Sequence, residues 1–330
     1  MSSAPFNFAA LPATFAELPP VEGMPQGCAW GLFDKDGVKD ELGTLNYLTA
    51  DNCRRVVAAE CQTGERTQLD WSLDNMNFPG FGRKGLEHKL VDLKPLGFVA
   101  TDDEVSFNTQ AGSQWDSFRH VAHQSTGHYY NGLKHDELHS GTLRNGIHKW
   151  VQAGGIAGRG VLVDWLSWWE ANHDGAAPAP NASTDVPLAE IKATLEAQGT
   201  ELQPGDLLLI RTGFVRWHEA ADDEAKRAHQ KSSEAIGLEQ SQEVLDWLWV
   251  NKFSAVACDT VAFENWPPRK SVMLHEWLLS LWGTPIGELW NLEGLSELCK
   301  KHKRYSFFLT SAPLHVPGGV GSPPNAIAVF

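Results

Sequence analysis

The chain has 330 residues, 42% of them hydrophobic, enough to bury a substantial core in one large domain or two small ones. Its 27 basic residues against 41 acidic ones give a net charge of −14, and no basic run exceeds CKKHKR at 299–304. That balance argues against nucleic acid or an anionic membrane surface as a partner.

The opening stretch MSSAPFNFAALPATFAELPP has no basic segment ahead of an apolar one, and no apolar run reaches the length of a membrane span. The expectation is a soluble, cytoplasmic chain with residues 1–40 as a helical or extended arm. Cys28, Cys53, Cys61, Cys258 and Cys299 are odd in number, scattered and never paired as CxxC, which favours reduced, buried thiols.

LTADNCRRVVAAECQTG reads as a helix, with Thr49 as N-cap and Gly64 as stop. RTQLDWSL, HKLVDL and DEVSFNT then alternate or carry β-branched residues and read as strands. TLRNGIHKWVQAG reads as a helix closed by Gly154 and Gly155, feeding the buried strand GVLVDW. The small and polar segment 171–187 is a surface loop, and Asp185 and Pro187 suit the first turn of a helix over PLAEIKATLEAQG. GDLLLIRTG is a buried strand; helices at about 214–229 and 239–250 follow, then the strand FSAVACDTVAF. The tail alternates SVMLHEWLLSLWG, LSELCKKHK and YSFFLTSAPLHV. Strands and helices without a strict βαβ rhythm point to a layered α/β or α+β fold, with residues 1–330 as one domain. Most of the 14 tryptophans belong in the core, leaving a minority for a pocket that takes a flat, apolar substrate.

Several familiar motifs fail on inspection. The glycines of GGIAGRG (154–160) precede a strand instead of following one, so they read as a helix stop and a tight turn and not as a phosphate loop. In HDELH (135–139) the Glu is third, not second, and would point away from a metal held by the two imidazoles; a solvated polar loop is the plainer reading. No GxSxG elbow is present. Asp164, Asp259 and Arg211 sit at or in apolar runs, where an ion pair or a cap is the plainest reading. What remains is Asp116 and His120, four apart, and far downstream His275 and Glu288: two imidazoles and two carboxylates, a donor set able to hold one divalent zinc or manganese ion.

The stretch QAGSQWDSFRH (110–120) matches, with the same spacing, the motif HxGTHxDxPxH of the cyclase family that includes bacterial kynurenine formamidase and isatin hydrolase. DELGTLNYLT, GIAGRGVLVD, GDLLLIRTG, CDTVAFE and HEWLLSLWGTPIGELWNL extend the match along nearly the whole chain, which resembles a larger, Trp-rich branch of that family. The resemblance implies a layered α/β sandwich with a barrel-like mixed sheet flanked by helices, a small-molecule substrate, and a homodimer or homotetramer. It also implies that Asp116, His120, His275 and Glu288 belong to a metal centre. The sequence departs from the motif where Gln110 and Gln114 replace its first two His.

An amide oxygen is neutral and a weaker donor to zinc than imidazole, so a two-metal centre does not fit. Three arrangements stay open. One ion sits at the four residues while the Gln side chains hold substrate or water; one or both Gln ligate through oxygen, which suits manganese; or the site is metal-free. Family chemistry implies hydrolysis of an amide, lactam or lactone bond in a cyclic or aromatic substrate, with Gln110 or Gln114 donating to the oxyanion and His120 or His275 as base. His123 and His128 are weaker base candidates, and Trp115, Tyr130, Asn131 and His123 are expected to shape the substrate pocket. The alternatives are a cyclase, dehydratase or isomerase working by His and Asp acid–base chemistry, and an inactive small-molecule binder.

Overall fold

The computed structural model describes residues 4–269 and 272–330; residues 1–3 of the expected arm, and 271 at the head of the expected 271–283 segment, lie outside the described residues. Its centre is a mixed sheet of nine strands, strongly curled into a half-barrel with helices around it. In chain order these are β1 (Arg66–Gln68), β2 (Gln114–Asp116), β3 (Ile156–Val163), β4 (Leu207–Ile210), β5 (Ala255–Cys258), β6 (Ile286–Glu288), β7 (Ser306–Ser311), β8 (Gly321–Ser322) and β9 (Ala326–Val329). Across the sheet they run β1-β9-β7-β3-β4-β5-β6-β2-β8.

Only the middle is parallel: β3 beside β4, β4 beside β5, and β5 beside β6. Strands covered on both faces read as unbroken apolar runs, and LLLI and AVAC are buried throughout. The C-terminal ends of these parallel strands carry the buried polar groups. Arg211, after β4, meets Asp164 after β3 at 2.8 Å and forks onto both Glu293 oxygens at 2.7 Å. Asp259, after β5, accepts from the amides of Thr212 and Gly213. These are the ion pair and the cap that the sequence suggests.

Local turns shorten or split several expected elements. The helix expected over 142–154 is confined to His148–Gln152, because Asn145 takes a left-handed backbone (φ 60). The helix at 214–229 is two, Phe214–Ala220 and Asp223–Ser232, the second restarted by Asp222 as N-cap. HDELH is a single helical turn, not a loop, with Glu137 accepting from the Lys134 amide. Outside the sheet stands a two-stranded hairpin, Glu87–Asp92 with Thr101–Ser106, most of it exposed.

The N-terminal segment packs tightly. Phe15 lies against Trp249, Trp277 and Trp282, and Phe6 against Tyr47. Gly43, at φ 54, approaches so closely that a Cβ there would lie 1.8 Å from the Gly283 carbonyl oxygen, while the Thr44 amide donates to that same oxygen. No helix among the described residues is long and apolar enough to cross a membrane.

Removing Arg211 strands the carboxylate of Asp164, which is 1% exposed. Arg211→Met is expected to destabilise the protein by about 3–5 kcal/mol in denaturant unfolding, the cost of an uncompensated buried charge.

Candidate metal centre

Antiparallel pairing of β2 with β6 sets Gln114 opposite Glu288, Trp115 opposite Gly287 and Asp116 opposite Ile286. Side chains alternate along a strand, so Gln114 and Asp116 share one face and Trp115 takes the other. Gly287 makes the pairing close, since a Cβ there would clash with the Trp290 ring and Ala257. Trp290 Nε1 donates to the Gln114 carbonyl at 3.0 Å and Ser113 Oγ to the Leu289 carbonyl at 2.5 Å, locking the two strands in register. His275 enters from the turn that opens a π-helix, Glu276–Trp282, a helix form often found at functional sites.

Ligand atoms of Asp116, His275 and Glu288 lie within 4.8 Å of one another, and all three residues are buried. Gln110 Nε2 donates to Asp116 Oδ1 and Gln114 Nε2 to Glu288 Oε2, each at 2.5 Å. Each amide therefore braces one oxygen of one carboxylate. The other oxygens, Asp116 Oδ2 and Glu288 Oε1, and also Gln114 Oε1, are buried without a hydrogen-bond partner. Glu288 Oε1 is 3.0 Å from His275 Nε2, an ion pair when the imidazole is protonated.

Buried acceptors with no donor are costly, and several converging in one place is the signature of a cation cradle. The donor set of two carboxylates and one imidazole fits a single divalent ion of the borderline or harder kind. It does not reproduce the ligand set of a two-metal centre.

A fourth group, Glu264, completes the arrangement. It is fully buried and grips His275 twice, accepting from the backbone amide at 3.1 Å and from Nδ1 at 2.7 Å. Burial opposes charge on His275, but Glu264 and Glu288 outweigh it and hold the imidazole pKa well above its ordinary value. Burial pushes Glu264 the other way from His275, whose attraction prevails and leaves that carboxyl below the usual range. Glu288 is raised, by burial and then by the charge of Asp116. Without an ion the imidazolium supplies the positive charge; with one, Glu264 fixes the Nδ1–H tautomer and turns the Nε2 lone pair toward the cradle.

His120 stands apart from this group. Its Nε2 is 3.8 Å from Asp116 Oδ2, its ring centre 6.4 Å from that of His275, and its side chain is 23% exposed. Burial lowers its pKa, so the ring is neutral at pH 7 and able to accept a proton.

The expected pocket residues fall elsewhere. Trp115 is core, its indole donating to Ser311 and packing on Trp290 at 4.8 Å. Tyr130 is fully buried and donates to Asp40. Asn131, at φ 57, ties the arm through Asp34 and the Gly31 amide. His123 bonds Thr126 within its own turn. Sequence reasoning missed Glu264, although a carboxylate closing the apolar run of CDTVAFE signals a buried partner. It also missed Arg83, whose Nη1 donates to the Gln110 carbonyl at 2.7 Å.

The family profile described as "Putative cyclase" matches residues 46–265, and the chain belongs to that family. A solved structure described as a novel cyclase is 28% identical, with a TM-score of 0.79 over 92% of this chain and 99% of the other. Two isatin hydrolases share the fold at lower identity. One, bound to the product analogue thioisatinate, is 15% identical (TM-score 0.57, 84% of this chain and 95% of that one). The other, from Labrenzia aggregata and bound to benzyl benzoate, is 14% identical (TM-score 0.56, 80% and 93%). No curated protein matches the chain.

Glu264→Gln keeps the shape of the group that orients His275 and removes its charge. It is expected to weaken Mn²⁺ or Zn²⁺ binding about 10–100-fold, read by calorimetric titration of the metal-stripped protein.

Proposed function

We propose that this protein is a metal-dependent hydrolase that opens an amide, lactam or lactone bond in a small cyclic or aromatic substrate. The observation that supports the reading is the convergence of buried ligand atoms from Asp116, His275 and Glu288 within 4.8 Å of one another, with Asp116 Oδ2 left without a hydrogen-bond partner. A bound divalent ion would supply a water of lowered pKa and polarise the substrate carbonyl.

The chain's own residues divide the remaining work. Asp116, His275 and Glu288 hold the ion, and Gln110 and Gln114 keep the two carboxylates aimed at it. Their amide nitrogens are engaged in this bracing, so their part in catalysis is to position charge. Gln114 Oε1 is left free to accept from a bound water or to join the ion. His120, outside the ligand group yet next to Asp116, takes the proton from the attacking water and returns it to the leaving group.

Stripping the metal with a chelator is expected to abolish turnover and readdition of Mn²⁺ or Zn²⁺ to restore it. Hydrolysis in ¹⁸O-labelled water should place the label in the new carboxylate; an unlabelled product would establish a cyclase- or isomerase-type reaction instead. Asp116→Ala is expected to lose both the bound ion and the activity. His120→Ala separates base from ligand: kcat should fall by about 10²–10⁴ with metal stoichiometry intact. Loss of the metal in that variant would make His120 a ligand.

A further inference from the structure

Arg119 lies between Phe118 and His120 in the chain but turns away from the candidate centre: the charges that act on His120 are those of Asp116, His275 and Arg83. Its guanidinium runs between the Leu138 carbonyl and Gly318, beside Tyr129 and Leu143. The residue is only 7% exposed. Nη2 reaches the Leu138 carbonyl at 3.4 Å, while Nε and Nη1 are buried with no acceptor. Glycine at 318 (φ 73) keeps a side chain off Nη1, since a Cβ there would lie 2.8 Å from it. The carboxylate whose charge reaches Arg119 is Glu41, and Glu41 is already held by Lys149 Nζ at 3.0 Å and the Asn145 amide at 2.6 Å. Among the described residues no carboxylate pairs with Arg119.

The chain compensates its other buried guanidiniums: Arg211 meets Asp164 and Glu293, and Arg159 meets Glu60 and Asp206. A guanidinium withdrawn from water with the N–H bonds of two nitrogens unpaired carries a double penalty, an uncompensated charge and unmet donors. An anion removes both at once. The chain as a whole is acidic, so what recruits the anion is the local excess of Arg119 and Lys149 over Glu41. We propose that Arg119 binds a small monovalent anion of the chloride class, small because Leu143 and the Gly318 main chain stand close against the guanidinium. The site is separate from the candidate metal centre, yet it backs the turn that presents His120. The Arg119 amide donates to Ser117 Oγ and the His120 amide to the Ser117 carbonyl, while Ser117 itself is fastened to the carbonyls of Gly319 and Val320. The anion thus secures the guanidinium behind that turn, and its binding stands whether or not the centre hydrolyses a substrate.

The probe is chloride, followed by the ³⁵Cl NMR line width over wild-type, Arg119→Gln and Arg119→Lys protein, with sodium gluconate of equal ionic strength as the bulky control and thermal melts confirming that each variant is folded. The wild type is expected to broaden the line saturably and to melt at a higher temperature in chloride than in gluconate. Arg119→Gln should weaken binding about tenfold or more, the worth of charge-assisted hydrogen bonds, and Arg119→Lys should weaken it less. Release of the bound chloride by acetate would uphold the site and extend its ligand to small carboxylates; release by bromide alone would uphold it as a halide site. Broadening that does not saturate, equal melting in chloride and gluconate, or affinity unchanged in Arg119→Gln would overturn the proposal, the last result placing the chloride elsewhere. If Arg119→Gln does not fold, Arg119→Lys decides, and unchanged affinity there overturns the site.

Discussion

The candidate site depends on one register, the antiparallel pairing of three residues of β2 with three of β6. Because strand side chains alternate, a slip by a single residue would send Gln114 and Asp116 into the Trp290 layer and bring Trp115 to face Glu288. The register is held from both sides, by the Trp290 indole on the Gln114 carbonyl and by Ser113 on the Leu289 carbonyl. Hydrophobic packing, through Trp115 and Trp290, thus fixes the positions of charged groups that would otherwise repel one another.

That repulsion is managed in three layers. The Gln110 and Gln114 amides each neutralise part of a carboxylate without adding charge, His275 stands between Glu264 and Glu288, and the divalent cation proposed above would complete the set. Replacing the family motif's first two imidazoles by amides turns residues that would ligate into residues that steer ligands. The departure from the motif therefore fits a smaller ion inventory on the same scaffold and does not require that the scaffold has lost its purpose.

Much of this was legible in the sequence, for identifiable reasons. The parallel strands appear as unbroken apolar runs, and Asp116, His275 and Glu288 stand out because collinear motifs bring distant segments into one family pattern. The errors are local. Trp115, sandwiched between two site residues, looks like a pocket wall until strand alternation turns it inward, and Tyr130 and Asn131 serve the turn that anchors the arm. Glu264 escaped because its partner is His275, eleven positions on, across a loop whose path no periodicity reveals. Arg83 lies in a glycine-flanked turn with no pattern at all.

The contact between Gly43 and Gly283 reaches further than its distance along the chain suggests. Main chain meets main chain there with no side chain to cushion it, five residues ahead of Glu288 on one side and seven ahead of Ala50, the first residue of the helix Ala50–Glu60, on the other. A methyl group at residue 43 would wedge these two segments apart, and the segment that leads into β6 would carry the displacement to the carboxylate. Sequence drift at a remote and chemically silent glycine is thereby constrained by the chemistry at the other end of the wedge.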